Sequence, residues 1–161
     1  MVCIVDFDKT FLVNDYFKES FYKKLLENPF YILWHFIRRG SILDLKNILL
    51  RDLEIQYPIE QLINPIINEW ISKNRKNYDK LLLVSASPDF FVKKIISPLC
   101  IFDEIHGSID INLKGRKKLQ FIQNRYENEF CYLGDSKDDY IIFKYAKESY
   151  LISKNKLLSI K

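Results

Sequence analysis

Four short runs of apolar residues are bounded by polar or charged positions: Val2–Val5 and residues 81–84, 130–133 and 150–152. A continuous apolar run of this length, without alternation, is the pattern of a strand buried on both faces. Between the later runs, apolar residues recur at helical spacing over Asp89–Ile96, Arg116–Tyr126 and residues 138–146. Strand and helix in alternation imply right-handed crossovers and a parallel sheet wrapped by helices. A shorter strand over residues 102–105 supplies a fifth member, and residues 107–112 predict a small hairpin.

From residue 14 to residue 77 the pattern changes. Phe17, Phe21 and Leu25, and later Leu45, Ile48, Leu49 and Leu53, keep three and four spacing. Breaks fall at Asn28-Pro29, Arg39-Gly40-Ser41 and Tyr57-Pro58, where Pro and Gly stop helices. The spacing predicts three or four helices inserted between the first and second strands. A crossover needs about a dozen residues, and this insert is about five times longer. It therefore predicts a lid over the sheet's active edge. The division expected is a core of residues 1–13 and 78–161 and a helical cap of residues 14–77.

Composition narrows this picture. Of 161 residues 48% are apolar, enough to bury a core, and 4 Gly and 5 Pro argue against a loop-rich or repetitive fold. The net charge of +4, from 25 basic and 21 acidic residues, is too slight to imply nucleic acid. The basic pairs Lys23-Lys24, Arg38-Arg39 and Lys117-Lys118 read as solvated faces. Cys3, Cys100 and Cys131 form no CxxC pair, and two of them fall in predicted strands, so buried, reduced thiols are expected. The longest apolar run, Pro29–Ile37 interrupted by His35, is too short to span a bilayer. The first residues reach Asp6 and Asp8 without a basic start or a cleavage site, unlike a signal peptide. A soluble, cytoplasmic protein is the expectation, with oligomeric state left open.

Four polar stretches follow the predicted strands. Asp6-Phe7-Asp8-Lys9-Thr10 leaves the first, and two carboxylates this close need a compensating partner, most simply a divalent cation. Val84-Ser85-Ala86-Ser87-Pro88 ends the second and offers a hydroxyl and backbone N–H groups at a helix start, an anion site. Asn112-Leu113-Lys114-Gly115 puts a lysine before another helix, and Gly134-Asp135-Ser136-Lys137-Asp138-Asp139 ends a further strand. In open parallel sheets, ligands sit outside the carboxyl ends of the strands, and all four stretches lie on that edge. Acids for a metal with a hydroxyl and a lysine for an anion suit Mg²⁺-assisted phosphoryl transfer.

In this order the four stretches resemble the motifs of the haloacid dehalogenase-like (HAD) hydrolases. The resemblance covers essentially the whole chain. The insert stands where the family's C1-type cap stands, and its helical character is similar to the phosphoserine-phosphatase-like branch. Residues 112–118 and 132–136 also resemble HAD domains fused to UbiA-type prenyltransferases. The resemblance implies an α/β, doubly wound Rossmann-like core and a Mg²⁺-dependent phosphatase acting on a phosphate monoester. Carried over, it implies that Asp6 attacks phosphorus and that Asp8 is the general acid and base, oriented by Thr10. Ser85 and Lys114 would hold the phosphoryl oxygens, with Phe7, Asp8 and Ala86 beside them. Asp6, Asp8 through its carbonyl, Asp135 and Asp139 would hold Mg²⁺. Dehalogenases lack an acid at the position of Asp8, so Asp8 points to phosphate-ester hydrolysis.

Substrate choice is expected from the cap, with Asp15, Lys18, Arg38, Arg39 and Arg51 as candidates and Trp34 and His35 near them. Residues 30–39, aromatic and apolar and then basic, read foremost as buried cap core. The other reading is a surface that meets a polyprenyl-linked phosphate at a membrane, and peripheral membrane contact stays open. A response-regulator receiver has the wrong motif order and carries no such insert. A phosphotransferase or a non-catalytic HAD-like binding module is the alternative function.

Overall fold

The computed structural model describes residues 1–51, 53–55, 58–153 and 156–161. Six strands form one sheet: β1 (Val2–Val5), β2 (Lys80–Pro88), β3 (Glu104–Ser108), β4 (Phe130–Gly134), β5 (Glu148–Ser153) and β6 (Lys156–Ser159). Their order is β3-β2-β1-β4-β5-β6, parallel through the first five, with β6 returning antiparallel to β5. The five apolar runs thus mark five strands of an α/β sheet.

The hairpin expected at residues 107–112 does not form. Gly107 and Ser108 complete β3, and their polar groups are tied to the β2 end instead. The Gly107 N–H donates to Asp89 Oδ1, while Ser108 Oγ donates to the Ala86 carbonyl and accepts from the Leu113 N–H. Among the described residues the antiparallel strand pairing is that of β5 with β6.

The helices are α1 (Tyr16–Glu27), α2 (Pro29–Ile37), α3 (Ile42–Arg51), α4 (Pro65–Asn74), α5 (Asp89–Ile96), α6 (Arg116–Tyr126) and α7 (Tyr140–Tyr145). Local chemistry explains their limits. Asn28 ends α1, and its Oδ1 accepts from the Tyr31 N–H to start α2, with Pro29 in the first turn. Ser41 and Asp44 cap α3 reciprocally, each side chain accepting from the other's backbone N–H. The break at Arg39-Gly40-Ser41 thus separates α2 from α3; Tyr57, of the third expected break, lies outside the described residues.

Alternate positions of β1 face opposite sides of the sheet, as a doubly wound fold requires. Cys3 and Val5 join Leu81, Leu83, Cys131 and Leu133 under α4 (Ile67, Ile71) and α5 (Phe91, Val92, Ile95, Ile96). Ile4 joins Leu82, Val84, Phe130 and Tyr132 under α6 (Leu119, Ile122) and α7 (Ile142, Phe143). Trp70 of α4 lies against Tyr78 and Tyr150, at ring separations of 5.9 and 5.2 Å. Cys3 and Cys131 stand opposite each other on β1 and β4, buried and free, and Cys100 is exposed and free.

The aromatic run of α2 is not buried: Phe30, Leu33, Trp34, Phe36 and Ile37 are all exposed, and only Ile32 turns inward. The helix packs on α1, and among the described residues its other sides stay largely exposed. Among the described residues, no helix is long and apolar enough to cross a membrane.

Candidate active site

The chain crosses from one half of the sheet to the other between β1 and β4, and the carboxyl ends of these neighbours form the switch-point crevice. Asp6 continues β1 by one hydrogen bond, its N–H donating to the Leu133 carbonyl at 2.9 Å. A widened turn follows, closed by the Phe11 N–H on the Asp6 carbonyl and the Leu12 N–H on the Phe7 carbonyl. Lys9 adopts a left-handed conformation inside it (φ 58°). The turn buries Phe7 and Phe11 in the core and carries Asp8 to the end of β2. There Ser87 Oγ donates to Asp8 Oδ2 at 2.6 Å.

Asp6, Asp135 and Asp139 each offer a carboxylate oxygen, and these atoms lie within 4.8 Å of one another. Lys118 of α6 reaches into this group. Its ammonium donates to Asp6 Oδ1 at 2.7 Å and to the Tyr132 hydroxyl at 3.1 Å, and stands 4.0 Å from Asp139 Oδ1. The Tyr132 hydroxyl in turn donates to Asp139 Oδ1 at 2.7 Å, and Asp139 Oδ2 accepts from the Ser136 N–H and hydroxyl. Gly134 is dictated by this packing: a Cβ there would stand 2.8 Å from Asp139 Oδ2 and 2.8 Å from the Tyr132 ring.

A cleft of about 200 Å³ opens over these groups. It is lined by Asp6, Asp8, Ser87, Lys118 and Asp135 from the sheet side and by Phe17, Lys18, Ile42 and Lys46 from α1 and α3. Of the expected residues, Asp6, Asp8, Ala86, Lys114, Asp135 and Asp139 line the cleft; Phe7, Thr10 and Ser85 stand behind it in the core. Ser85 Oγ accepts from the Ser87 N–H and so shapes the turn after β2. Thr10 Oγ1 has no hydrogen-bond partner among the described residues, so the hydroxyl that orients Asp8 is that of Ser87. Lys114 is more than half exposed and pairs with Asp138 at 2.9 Å, so the cation on Asp6 is Lys118, one helical turn later. Lys118 is also no solvated member of a basic pair, being 2% exposed.

Among the candidates for substrate choice, Asp15 and Lys18 reach the cleft, paired at 2.7 Å, whereas Trp34, His35, Arg38, Arg39 and Arg51 do not. Lys46 was not anticipated. It is 7% exposed and spans from α3 to the core, donating to the Ala86 carbonyl at 2.6 Å.

Six aspartates against four lysines in its lining leave the cleft short of positive charge. Burial, with smaller contributions from Asp15 and Asp6, pushes Asp8 up to about 7, and its Oδ1 is buried without a partner among the described residues. Burial and the facing Asp6 and Asp139 push Asp135 up to about 6. Burial lowers Lys46 to about 8, whereas the carboxylates of Asp6 and Asp139 overcome burial and hold Lys118 above its usual range. A set of hard carboxylate oxygens with this deficit fits a small divalent cation.

The raised carboxyls make stability pH-dependent. Between pH 4 and 7 the folded chain holds protons on Asp8 and Asp135 that the unfolded chain has released, so stability falls as pH rises through that window. In EDTA, Asp8→Asn is expected to melt several degrees above the parent at pH 7.5 and level with it at pH 4. Calorimetric scans at the two pH values check this, and an equal gap at both would contradict it.

No protein-family model matches the chain. The uncharacterized protein y4nM of Sinorhizobium fredii (strain NBRC 101917 / NGR234) is 31% identical over 156 residues, covering 92% of this chain and 29% of that protein. The chain thus spans less than a third of the length of this curated relative. A phosphoserine phosphatase structure holding a phospho-aspartyl intermediate analogue superposes with a TM-score of 0.57 at 20% identity, over 92% of this chain and 84% of that one. A HAD-superfamily hydrolase from Ehrlichia chaffeensis gives 0.55 at 16% identity, over 94% and 86%. At these identities the likeness is one of fold: the chain has the α/β fold of HAD-type hydrolases, phosphoserine phosphatase among them.

Proposed function

We propose that the protein is a HAD-type, Mg²⁺-dependent phosphatase that hydrolyses a small phosphate monoester through an aspartyl-phosphate on Asp6. The observation that carries this reading is the convergence of Asp6, Asp135 and Asp139 beside Lys118, with Asp8 held at the same cleft by Ser87. The shared fold with phosphoserine phosphatase supports it.

Asp6 Oδ1 is occupied by the Phe7 N–H and Lys118, which fixes the carboxylate and assigns Oδ2 as the attacking atom. As the Oδ2–phosphorus bond forms and the ester bond breaks, the Asp8 proton passes to the leaving oxygen. Water then attacks phosphorus, giving its proton to the Asp8 carboxylate. The phosphorus–Oδ2 bond breaks, releasing inorganic phosphate and restoring Asp6. Burial keeps a proton on Asp8 near neutral pH for the first step, and the Ser87 hydroxyl sets the direction in which it is delivered. Asp6, Asp135 and Asp139 would hold the Mg²⁺, which supplies neutralisation when an anionic phosphate meets an anionic nucleophile. Lys118 and Lys46 supply fixed positive charge to the phosphoryl oxygens, and Phe17 and Ile42 give the leaving group an apolar wall.

Phosphate release from sugar phosphates, phosphoserine, nucleotides and a short prenyl-linked phosphate, each with Mg²⁺ and with EDTA, tests the reading. Mg²⁺-dependent release from at least one is expected. Transfer to an added alcohol with no free phosphate would replace hydrolysis by phosphotransfer. Silence across the panel from folded, Mg²⁺-binding protein would favour the non-catalytic alternative.

A further inference from the structure

Helix α2 takes no part in the cleft, yet it is an exposed helix built almost wholly of apolar and aromatic residues. From Pro29 to Ile37 there is no Asp, Glu, Lys or Arg, and Phe30, Leu33, Trp34 and Ile37 are 78, 56, 55 and 61% exposed. Leu26, three residues before Pro29 at the end of α1, is 86% exposed as well. Contiguous exposed apolar surface marks a contact with another molecule or a membrane. The charges lie at its margins: Lys23 and Lys24 before it, Arg38 and Arg39 after it. Residues 16–39 carry five basic and two acidic side chains. The cations also sit on the aromatic rings, Arg38 4.8 Å from the Trp34 ring and Lys24 5.1 Å from that of Tyr31.

We propose that α2 is a membrane-surface anchor that lies flat in the headgroup layer of an anionic bilayer. Its apolar side chains face the acyl chains, and Lys23, Lys24, Arg38 and Arg39 meet the lipid phosphates. Nine residues make a helix of about 13 Å, too short to cross a bilayer but suited to lying in its surface. Trp and Tyr beside Lys and Arg is the side-chain pairing of the lipid–water boundary. A second copy of the same face would bring like charges together, and a folded partner would cover one side of α2 only. Apolar side chains around most of the helix suit a fluid medium that closes over it.

Trp34 and Trp70 are the two tryptophans, so Trp70→Phe leaves Trp34 as the sole reporter. Vesicles of phosphatidylcholine containing about 30% phosphatidylglycerol are expected to shift Trp34 emission to the blue, with quenching by brominated acyl chains. Pure phosphatidylcholine or about 0.5 M salt should weaken binding at least ~tenfold. Leu33→Glu/Ile37→Glu and Arg38→Glu/Arg39→Glu should each do the same with unchanged circular dichroism and melting, because these side chains lie outside the buried core. Failure to float with anionic vesicles overturns the proposal. So does an emission shift that follows protein concentration without lipid, which would make the face a contact between copies of the chain.

Discussion

Phosphate release by Asp6→Asn is expected to fall at least ~10³-fold, because an amide in place of the Oδ2 carboxylate cannot form the phosphoryl ester. The substitution is nearly isosteric, and Oδ1 can still accept from Lys118 and the Phe7 N–H, so the cleft should keep its shape. Asp8→Asn separates the two steps. With an alkyl phosphate, whose leaving oxygen needs a proton, it should fall as far as Asp6→Asn. With an activated aryl phosphate it should retain more of the first step and accumulate phosphorylated protein. Initial rates on both substrates, with mass measurement of the quenched enzyme, check the pair. An Asp6→Asn protein with more than about a tenth of parental activity would remove the proposed nucleophile.

Lys118→Met is expected to cost about 3–5 kcal/mol of folding stability in EDTA, more than a surface lysine costs on any part of this molecule. Lys118 is enclosed, and its ammonium joins the Tyr132 hydroxyl and two acids 133 residues apart in the chain, Asp6 just past β1 and Asp139 in the turn after β4. Removing the cation leaves those carboxylates facing each other without compensation. Adding Asp6→Asn should return part of the loss, because the double variant carries one fewer buried negative charge, while activity stays absent. Urea denaturation of the parent, both single variants and the double variant gives the coupling. A loss under about 1 kcal/mol for Lys118→Met would mean that water reaches the pair, and that the ammonium is not the brace that holds Asp6 in place.

What was legible in the sequence follows from what local pattern can encode. β1 and β4 were visible because burial on both faces leaves no charged position within them, and β2 and β5 because they contain the apolar runs 81–84 and 150–152. β3, at the sheet edge, showed only through the short stretch that ends at Ile105. Asp6, Asp8, Asp135 and Asp139 were visible because each follows such a run. Lys118 was hidden in a basic stretch, Lys114 to Lys118, where charge alone does not say which amine turns inward. Helical phase does: Lys118, Leu119 and Ile122 form the buried stripe of α6. The same signal was available for Lys46, which shares its face of α3 with Leu43 and Leu50. Ser87 was overshadowed by Ser85, because β2 runs four residues past its apolar stretch to Pro88. The exposure of α2 had no such signal. An apolar helix is buried when something packs on it, and that depends on elements distant in sequence.

The place of β1 at the middle of the sheet has a consequence for the order of assembly. Val2–Val5 pairs with residues 80–83 on one side and 130–133 on the other. At about 5–20 residues per second, a ribosome takes on the order of 10 s between making this strand and making its second partner. Throughout that interval four apolar residues have at least one unpaired edge, the condition in which nascent chains aggregate or recruit chaperones. The segment that carries Asp6 is therefore made well before the last of its partners and is enclosed only when β4 arrives.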